Sequence, residues 1–573
     1  MSPQLPPVAP AVTAELVAAL SPRLRKRLDA GIAKLADRPV TRDGTTVRVA
    51  VDDTAHVELR APEGTVTHAD AVHCGCLLAP ACLHRAAVAS AAPIAEADTP
   101  GTAAAPADED RVRTEPTRAT AEQTAAAHAV RSTAEAVLDA GADGCGAVLQ
   151  AELLRAAHSA RLAGLPRLAA SAVSVVTALR AARSADPAYR LTDLVDSLGD
   201  TLAVAHRLPD AEDAELAELR GTARRPYRPD GSLRLYGLFS EPVLTASGYA
   251  GAVTWTADAE GRLYQVSDVA PGGASRAVGA ADRTVRVGDT ALTHRELSRA
   301  GLAMSGATVS PSGRLGAGAG VRAVRASGVE WRAEPLDRLW SVPVADQAAR
   351  ALKDGSGLLF LTVTVAGTVR EAAGDCLLAE YEGGTVRLTA AHDDPALPHR
   401  DNLRLLAAAR GIPLRIVARL APAPHARAAL LATEHPSVTG TRVDVGLDRL
   451  QRADLPAAPR VSRTPPPQEE APVHLLRRRV HQAVAGGRRT LAFPGTTTTD
   501  IRRLDAHGLG TAADLLAELH ASAAERSRDV FGRLLPADTT RFARTWLAAT
   551  RYTSELDRAL CAAAWGAQNR QSG

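Results

Sequence analysis

The pattern of apolar and polar positions divides the chain into segments of different character. Residues 47–51 and 56–60 alternate apolar with polar side chains around a turn-forming Asp-Asp-Thr, which predicts a β-hairpin. Upstream, residues 15 to about 36 predict a helix, and from about 119 to 221 the apolar spacing becomes helical. The clearest stripe along one helix face is Leu191, Leu194, Val195, Leu198 and Leu202.

Short strands are predicted from about residue 230 onward. Separated by Gly-, Pro- and Ser-rich turns, they are 233–236, 253–256, 263–266, 285–287 and 321–324. Further on, helices are predicted at 344–353 and 402–410, and strands at 358–365, 385–389 and 414–420. The first group favours an antiparallel barrel or sandwich, and the second a β-rich or α/β domain.

Composition narrows the class of protein. A chain of 573 residues exceeds the roughly 250–300 residues of a single hydrophobic core, so we expect several domains. A net charge of +3 is nearly neutral at this length, so affinity for nucleic acid would need local patches. No lysine follows a glycine, which excludes a P-loop. With no apolar run of about 18 residues and no signal-peptide pattern, we expect a cytoplasmic protein without a membrane partner.

One stretch carries recognisable chemistry. Three of the six cysteines, Cys74, Cys76 and Cys82, fall within nine residues, and His84 follows. Three thiolates and an imidazole form a tetrahedral donor set for one structural Zn²⁺. Gly75 is expected to let the backbone turn so that the first two sulfurs converge. The alternative without a metal is three unrelated buried thiols beside a surface histidine. Within the metal interpretation, His73 is a possible substitute ligand.

This stretch resembles the SWIM-type zinc finger, a ββα module with the signature Cys-x-Cys-x(n)-Cys-x-His. Cys74, Cys76, Cys82 and His84 match its four ligand positions, the alternating segments match its strands, and the Ala-rich run from Arg85 matches its helix. The resemblance covers only about residues 40–95. It implies binding to DNA or protein, and a likeness to uncharacterised actinobacterial SWIM proteins implies a partner in an ATPase-type complex.

Other candidate sites have simpler readings. Cys376 and His392 invite a Cys–His dyad, but a lone core thiol is favoured because no third orienting group is evident. The glycine-rich 313–320 is predicted to be a loop, and 495–500 to be a helix start that could hold an anion but more simply caps a helix. The sequence offers no candidate catalytic residues and no candidate residues for an organic cofactor, and we expect a protein that is not an enzyme.

Two basic clusters remain. For each, a solvated helix face is favoured over a phosphate-binding surface. The first precedes the finger and comprises Arg23, Arg25, Lys26, Arg27, Lys34, Arg38, Arg42 and Arg48. The second comprises Arg477, Arg478, Arg479, Arg488 and Arg489. Aromatic residues, at 3%, are too scarce to favour stacking on single-stranded nucleic acid.

The predicted fold class is multidomain α+β: a small ββα zinc module, a helical bundle, a barrel- or sandwich-like β-rich middle and a helical C-terminal region. The predicted segments are 1–98 with the finger at 40–95, linker 99–118, helical 119–222, β-rich 230–335, mixed 340–455, Pro-rich linker 456–472 and helical 473–573. The expected function is a non-enzymatic zinc-binding adaptor or scaffold for protein–protein recognition. The alternative is a DNA- or RNA-binding protein that uses the finger and the adjacent basic helix.

Overall fold

The structure is a computed structural model. It describes residues 5–35, 38–52, 55–95, 118–186, 189–222, 228–245, 249–310, 312–316, 320–354, 357–371, 374–455, 472–493, 495–533, 535 and 538–566. The chain forms two compact units, unit 1 with Met1–Ala223 and Ala471–Thr553, and unit 2 with Arg224–Glu470 and Ser554–Gly573. The predicted domain boundaries stay predictions, and both predicted linkers lie almost wholly outside the described residues.

Unit 1 begins with a small sheet among short helices and continues into long helices. The helices are α1 (Pro10–Ala18), α2 (Pro22–Arg25), α3 (Leu28–Ala33), α4 (Leu83–Ala91), α5 (Ala121–Gly144), α6 (Ala147–Leu162), α7 (Pro166–Arg183), α8 (Leu191–Arg207) and α9 (Asp213–Arg220). The strands are β1 (Val40–Asp43), β2 (Thr46–Ala50), β3 (His56–Arg60) and β4 (Val72–Cys74).

The predicted hairpin is confirmed as β2 and β3, the centre of an antiparallel sheet of order β1-β2-β3-β4. Val47 pairs with Leu59 and Val49 with Val57, and these four side chains are buried because strand alternation turns them all to one face. The buried face packs into a core that also contains α1 and α4. This sheet brings β4, the strand that carries Cys74, to its place beside β3.

The helix predicted at 15–36 is wrong in extent, because α1, α2 and α3 are separate. Pro22 is the reason: the residue before a proline avoids the helical region, and Ser21 is extended with ψ 156°. By contrast, the predicted apolar stripe is confirmed within α8, where Leu194, Val195, Leu198 and Leu202 are buried. These side chains belong to the large helical core of unit 1.

The middle of the chain supplies the elements of unit 2. Its strands are β5 (Arg228–Leu244), β6 (Tyr249–Ala257), β7 (Leu263–Pro271), β8 (Thr284–Val287), β9 (Thr290–Thr293), β10 (Gly301–Val309), β11 (Arg322–Ala326), β12 (Leu358–Glu371), β13 (Gly374–Tyr381), β14 (Gly384–Ala390), β15 (Pro413–Leu420), β16 (Arg427–Glu434) and β17 (Arg442–Asp444). Its helices are α10 (Ala274–Val278), α11 (His294–Leu297), α12 (Arg338–Ser341), α13 (Val344–Asp354) and α14 (His399–Ala408).

The last helices are α15 (His474–Gly486), α16 (Arg488–Leu491), α17 (Thr497–Ala506), α18 (Gly510–Ala524) and α19 (Thr539–Ala564). Helices α15 to α18 and the first part of α19 belong to unit 1, where Phe542 and Trp546 are fully buried in the helical core. The tryptophan indole donates to the Val480 carbonyl of α15 at 3.0 Å. The long-range packing of these helices with the N-terminal ones was not visible in the sequence.

Unit 2 contains two modules with the same strand order. The first is β7-β6-β5-β10-β11, and the second is β14-β13-β12-β15-β16 with β17 beyond β16. In the first module, β5 pairs with β10 through its first half and with β6 through its second half. In the second module, β12 likewise pairs first with β15 and then with β13. A register shift beside Gly237 in β5 and beside Gly367 in β12 marks the change, as expected where a β-bulge bends a strand.

The two modules differ in closure. Strand β14 pairs with β13 and also, in parallel, with β16. The strand pairings of the second module therefore form a closed ring. The named strands of the first module form one five-stranded sheet, and the barrel predicted there is not confirmed. The described helices and antiparallel sheets confirm the α+β class. No described helix is both long and apolar enough to cross a membrane.

Candidate metal centre

The end of β4 and the start of α4 bring four candidate ligands together. Cys74 ends β4, Cys82 is the N-cap residue of α4, and His84 lies in the first turn of that helix. The ligand atoms of these residues and of Cys76 all lie within 4.8 Å of one another, and Cys74 Sγ is 3.8 Å from His84 Nδ1. The structure thus places the four predicted residues in one cluster that can hold a single metal ion.

The convergence of the first two sulfurs has a different cause from the one expected. Gly75 does not lie in the left-handed region, and open space surrounds the position where its Cβ would be, so a glycine is not sterically required. Instead the strand stops at Cys74, and the chain turns at Cys76, whose carbonyl accepts the Ala79 N–H at 3.0 Å. Side-chain alternation therefore ends before Cys76, and its sulfur is free to turn back toward the cluster.

Burial and amide hydrogen bonds set the protonation of the thiols. Burial raises the pKa of Cys74 to about 12 and also raises the pKa of Cys82, although a backbone N–H donates to each sulfur. For Cys76, burial acts in the same direction, but N–H groups of Leu78 and Ala79 and the neighbouring thiols outweigh it and lower the pKa. A cation that displaces the thiol protons would find amides already directed at its sulfur ligands.

Arg85 holds the backbone around the cluster. Its side chain is only 6% exposed, and its guanidinium donates to the carbonyls of Val72, Pro80 and Ala69. These three carbonyls belong to β4, to the loop between Cys76 and Cys82, and to the turn before β4. One side chain therefore joins the three backbone segments that surround the ligands.

The donor set fits zinc. Tetrahedral Zn²⁺ with Zn–S bonds of about 2.3 Å separates its ligand atoms by roughly 3.5–3.8 Å, close to the observed 3.8 Å between Cys74 and His84. Four protein ligands fill a tetrahedron, so such a site would be structural. His73, the predicted substitute, lies exposed on β4 and outside the cluster. Within the described part of the chain, no other group of three or more His, Cys, Asp or Glu side chains is as close.

The remaining sequence candidates show ordinary structural contacts. The Cys376 thiol, whose pKa burial raises to about 11, interacts with Glu371 and lies 3.9 Å from the Arg427 guanidinium. The His392 ring accepts the Asp394 N–H at 3.0 Å. Residues 313–316 lie in the loop between β10 and β11, as expected for a glycine-rich loop, while 317–319 lie outside the described residues.

Both basic clusters are partly used inside the protein. In the first, Arg25 donates to the Leu20 and Ala18 carbonyls at the end of α1, and Arg48 pairs with Glu58 at 2.9 Å. In the second, Arg488 is 3% exposed and donates to the carbonyls of Ala523 and Glu525. Arg478 and Arg479 both reach Asp500, at 3.0 and 3.3 Å, at the predicted helix start 495–500.

Unit 2 encloses a set of buried polar side chains that the sequence did not reveal. Thr254 Oγ1 lies 2.7 Å from both Ser240 Oγ and His294 Nδ1, and all three residues are fully buried. Ser240 donates to the His294 carbonyl, so Thr254 donates to Ser240 and the imidazole Nδ1–H donates to Thr254. Burial lowers the pKa of His294 to about 4, which keeps this ring neutral. Complete enclosure makes the set structural.

Two more ionisable groups of unit 2, Asp444 and His399, are buried. The Asp444 carboxylate accepts a hydrogen bond from Ser298 Oγ at 3.3 Å. Burial, and to a smaller extent the charge of the neighbouring Asp448, raises the pKa of Asp444 to about 6. Burial lowers the pKa of His399 to about 4. These groups make the stability of unit 2 depend on pH in a calculable direction.

Comparison with known proteins adds no relative. No protein-family model matches the chain, and no curated protein and no solved structure matches it at a significant level. The likeness to a SWIM-type finger therefore rests on the four residues, their spacing and the local ββα arrangement. The structure shows a Cys₃His cluster able to hold one metal ion.

Proposed function

We propose that the protein is a non-enzymatic, zinc-binding adaptor of the cytoplasm that recognises a protein partner through the loop between its second and third zinc ligands. The observation that carries the proposal is the exposure of this loop. Leu77 is fully exposed and Leu78 is 63% exposed, although Cys74 and Cys82 at the base of the loop are buried. Two adjacent leucines left in water by an otherwise packed module are typical of a contact surface.

The loop is fixed before any partner arrives. The Ala79 N–H is bonded to the Cys76 carbonyl, and the Pro80 carbonyl accepts from Arg85 at 2.6 Å. A bound metal would fix both ends of the loop. A rigid apolar tip loses little conformational entropy on binding, and each leucine stabilises a complex by about 1.5–3 kcal/mol when fully buried.

Zinc supplies structure in this proposal and no reaction step. Three thiolates and an imidazole are the soft and borderline donors that Zn²⁺ prefers, and a closed tetrahedron leaves no position for a substrate. The role of Cys74, Cys76, Cys82 and His84 is then to fold the module and hold its loop. The SWIM resemblance supports the same assignment.

The nucleic-acid alternative receives less support. Arg25 and Arg48 of the first basic cluster contact other groups of the protein. The exposed cations of this cluster include Arg23, Lys26, Arg27, Lys34 and Arg42. Contacts from a few such charges to phosphates would give an affinity for a duplex that depends strongly on salt and carries no base recognition. We therefore rank it second and let the experiment below decide.

The test compares affinity captures by the full-length protein from a lysate of its native host, with and without nuclease. The double variant Leu77→Ser/Leu78→Ser removes the apolar tip, and its zinc content shows whether the fold is kept. The matched control is Leu162→Ser, which changes another leucine that is 71% exposed, on α6.

The proposal expects a specific protein, identified by mass spectrometry, that binds the wild type and Leu162→Ser, resists nuclease and is lost with the double variant. A purified sample of that protein should then bind at least about tenfold more weakly to the double variant, since burial of two leucines is lost. Equal capture by all three forms contradicts the proposal. Capture that disappears with nuclease favours the nucleic-acid alternative.

A further inference from the structure

The connection between α18 and α19 is a hairpin loop, residues 525–535, with an apolar tip. Val530 and Phe531 lie at the tip, and their side chains are 94% and 81% exposed. A hydrogen bond from the Leu535 N–H to the Ser527 carbonyl, at 2.9 Å, closes the base of the loop. Two large apolar side chains are therefore held in water by a backbone that is itself hydrogen-bonded.

The first and last residues of the turn at the tip determine its shape. The Asp529 carboxylate accepts the N–H groups of Phe531 and Arg533, at 2.9 and 2.8 Å, and Gly532 adopts φ +77°. Aspartate at the first position and glycine at the last are typical of such a β-turn, whose middle positions accept most residues and are usually polar. The apolar character of Val530 and Phe531 is thus not required by the turn.

Three exposed arginines accompany this tip. Arg528 Nη1 donates to the Gly532 carbonyl at 2.6 Å, and the Arg533 guanidinium carbon lies 5.9 Å from the centre of the Phe531 ring. Arg526, at the base of the loop, donates to two backbone carbonyls. None of the three forms an ion pair with a described carboxylate; their guanidinium groups contact only those carbonyls and the ring.

The carboxylates of the loop offset only part of this charge. Asp529, bonded to the amides of the turn, balances one of the two arginines at the tip. Glu525, at the base, pairs with Arg541 of α19 at 3.2 Å. The charge beside the apolar tip therefore remains positive.

We infer that the hairpin loop binds an anionic lipid surface, with Val530 and Phe531 inserted between headgroups and acyl chains and with Arg528 and Arg533 at the phosphates. A membrane surface has the same order of polarity, apolar within and anionic outside, and aromatic rings favour the boundary between the two. Such shallow insertion needs no long apolar segment, whose lack was the basis for expecting no membrane partner. This surface is independent of the metal centre and of its proposed partner.

The test measures sedimentation of full-length protein with lipid vesicles. Phosphatidylcholine vesicles with about 30% phosphatidylserine provide the anionic surface, and pure phosphatidylcholine vesicles lack it. We expect binding to the anionic vesicles and much weaker binding to the neutral ones. Raising the salt from about 0.1 M to about 1 M should weaken binding, because the Debye length falls from about 10 to about 3 Å.

One pair of variants tests the apolar tip. Val530→Ser/Phe531→Ser should weaken binding to anionic vesicles about tenfold or more, because both apolar insertions are lost. The matched control is Leu162→Ser, which changes a leucine of α6 that is 71% exposed and should bind like the wild type.

A second pair tests the cations. Arg528→Gln/Arg533→Gln should weaken binding to anionic vesicles about tenfold or more, since each arginine near such a surface contributes about fivefold. Arg155→Gln/Arg161→Gln removes the same charge from two exposed arginines of α6, and its binding should equal that of the wild type.

Phe531→Trp reports insertion directly. The five natural tryptophans are all buried, so a shift of emission to shorter wavelength on adding anionic vesicles comes from the tip. No binding to anionic vesicles, equal binding to neutral ones, equal losses in the matched controls, or bound protein without an emission shift would overturn the inference. A protein partner that is lost with Val530→Ser/Phe531→Ser, in the absence of vesicle binding, would assign the tip to a protein contact instead.

Discussion

Replacing Arg85 tests how the metal loop is held. The change Arg85→Met keeps a long apolar stem in the same space but removes every donor, so the carbonyls of Val72, Pro80 and Ala69 lose their partner. Each orphaned buried acceptor costs about 1–3 kcal/mol. Since the loop is near the surface and water can reach part of it, we expect a total loss of about 3–5 kcal/mol.

Arg85 does not belong to the ligand cluster, so the change should act on the metal through the backbone. We expect zinc to bind in the same ratio of one per chain, but with an affinity lower by about a hundredfold to a few thousandfold, since about 1.4 kcal/mol corresponds to tenfold. Competition with a chromophoric chelator measures this affinity, and urea unfolding of the zinc-loaded protein measures stability. Arg85→Lys, which keeps one donor group, should fall between the wild type and Arg85→Met.

The control is Arg60→Met, which changes an arginine on β3 that is 64% exposed and forms a 3.6 Å ion pair with Glu58. Exposed ion pairs contribute about 0–1 kcal/mol, so this variant should keep both its zinc affinity and its stability. If Arg85→Met matches that control within about 0.5 kcal/mol, the three hydrogen bonds do not hold the loop and the reasoning fails.

Three further predictions concern the zinc content of the protein, the packing around one glycine and the pH dependence of stability. Metal analysis should find about one zinc per chain in the wild type and in Cys145→Ser, and none in Cys76→Ser. Gly141→Ala should destabilise unit 1 by about 3 kcal/mol or more in urea unfolding, because Gly141 has φ +70° and an added Cβ would overlap the backbone where α15 meets α16; Gly144→Ala, whose Cβ would meet its nearest neighbour at 3.5 Å, should be nearly neutral. Asp444 has a raised pKa and binds its proton in the folded state between about pH 6 and 4, which stabilises unit 2 as pH falls and opposes the buried histidines. Asp444→Asn should therefore lose stability more steeply than the wild type from pH 6 to 4, by up to about 1.4 kcal/mol per pH unit, and parallel curves would contradict it.

Local patterns were sufficient where the cause of structure was local. The hairpin β2–β3, the stripe of α8 and the helix after Cys82 follow from side-chain periodicity and turn residues. The four candidate ligands could be named because zinc chemistry restricts both residue type and spacing. Strand β1, with one apolar residue in four, and the three-residue β4 carry too little pattern to be recognised alone and form only by pairing with their neighbours.

The relations that the sequence did not show are long-range. The common strand order of the two modules in unit 2 depends on register shifts at Gly237 and Gly367, and a single glycine in a strand does not say which partners lie on either side of it.

Packing also connects the predicted zinc module to the helices of unit 1. From the sequence, the segment 99–118 was expected to separate the finger from the helices. In the structure, Ala147 and Ala151 of α6 belong to the same apolar core as the finger's strands, and the Asp29 carboxylate accepts the Ala147 N–H at 3.1 Å. Asp29 also pairs with Arg183 of α7 at 2.9 Å. Because metal binding and folding share one free energy in such modules, a metal bound by the finger stabilises the surface that packs on α6 as well as the loop that carries Leu77.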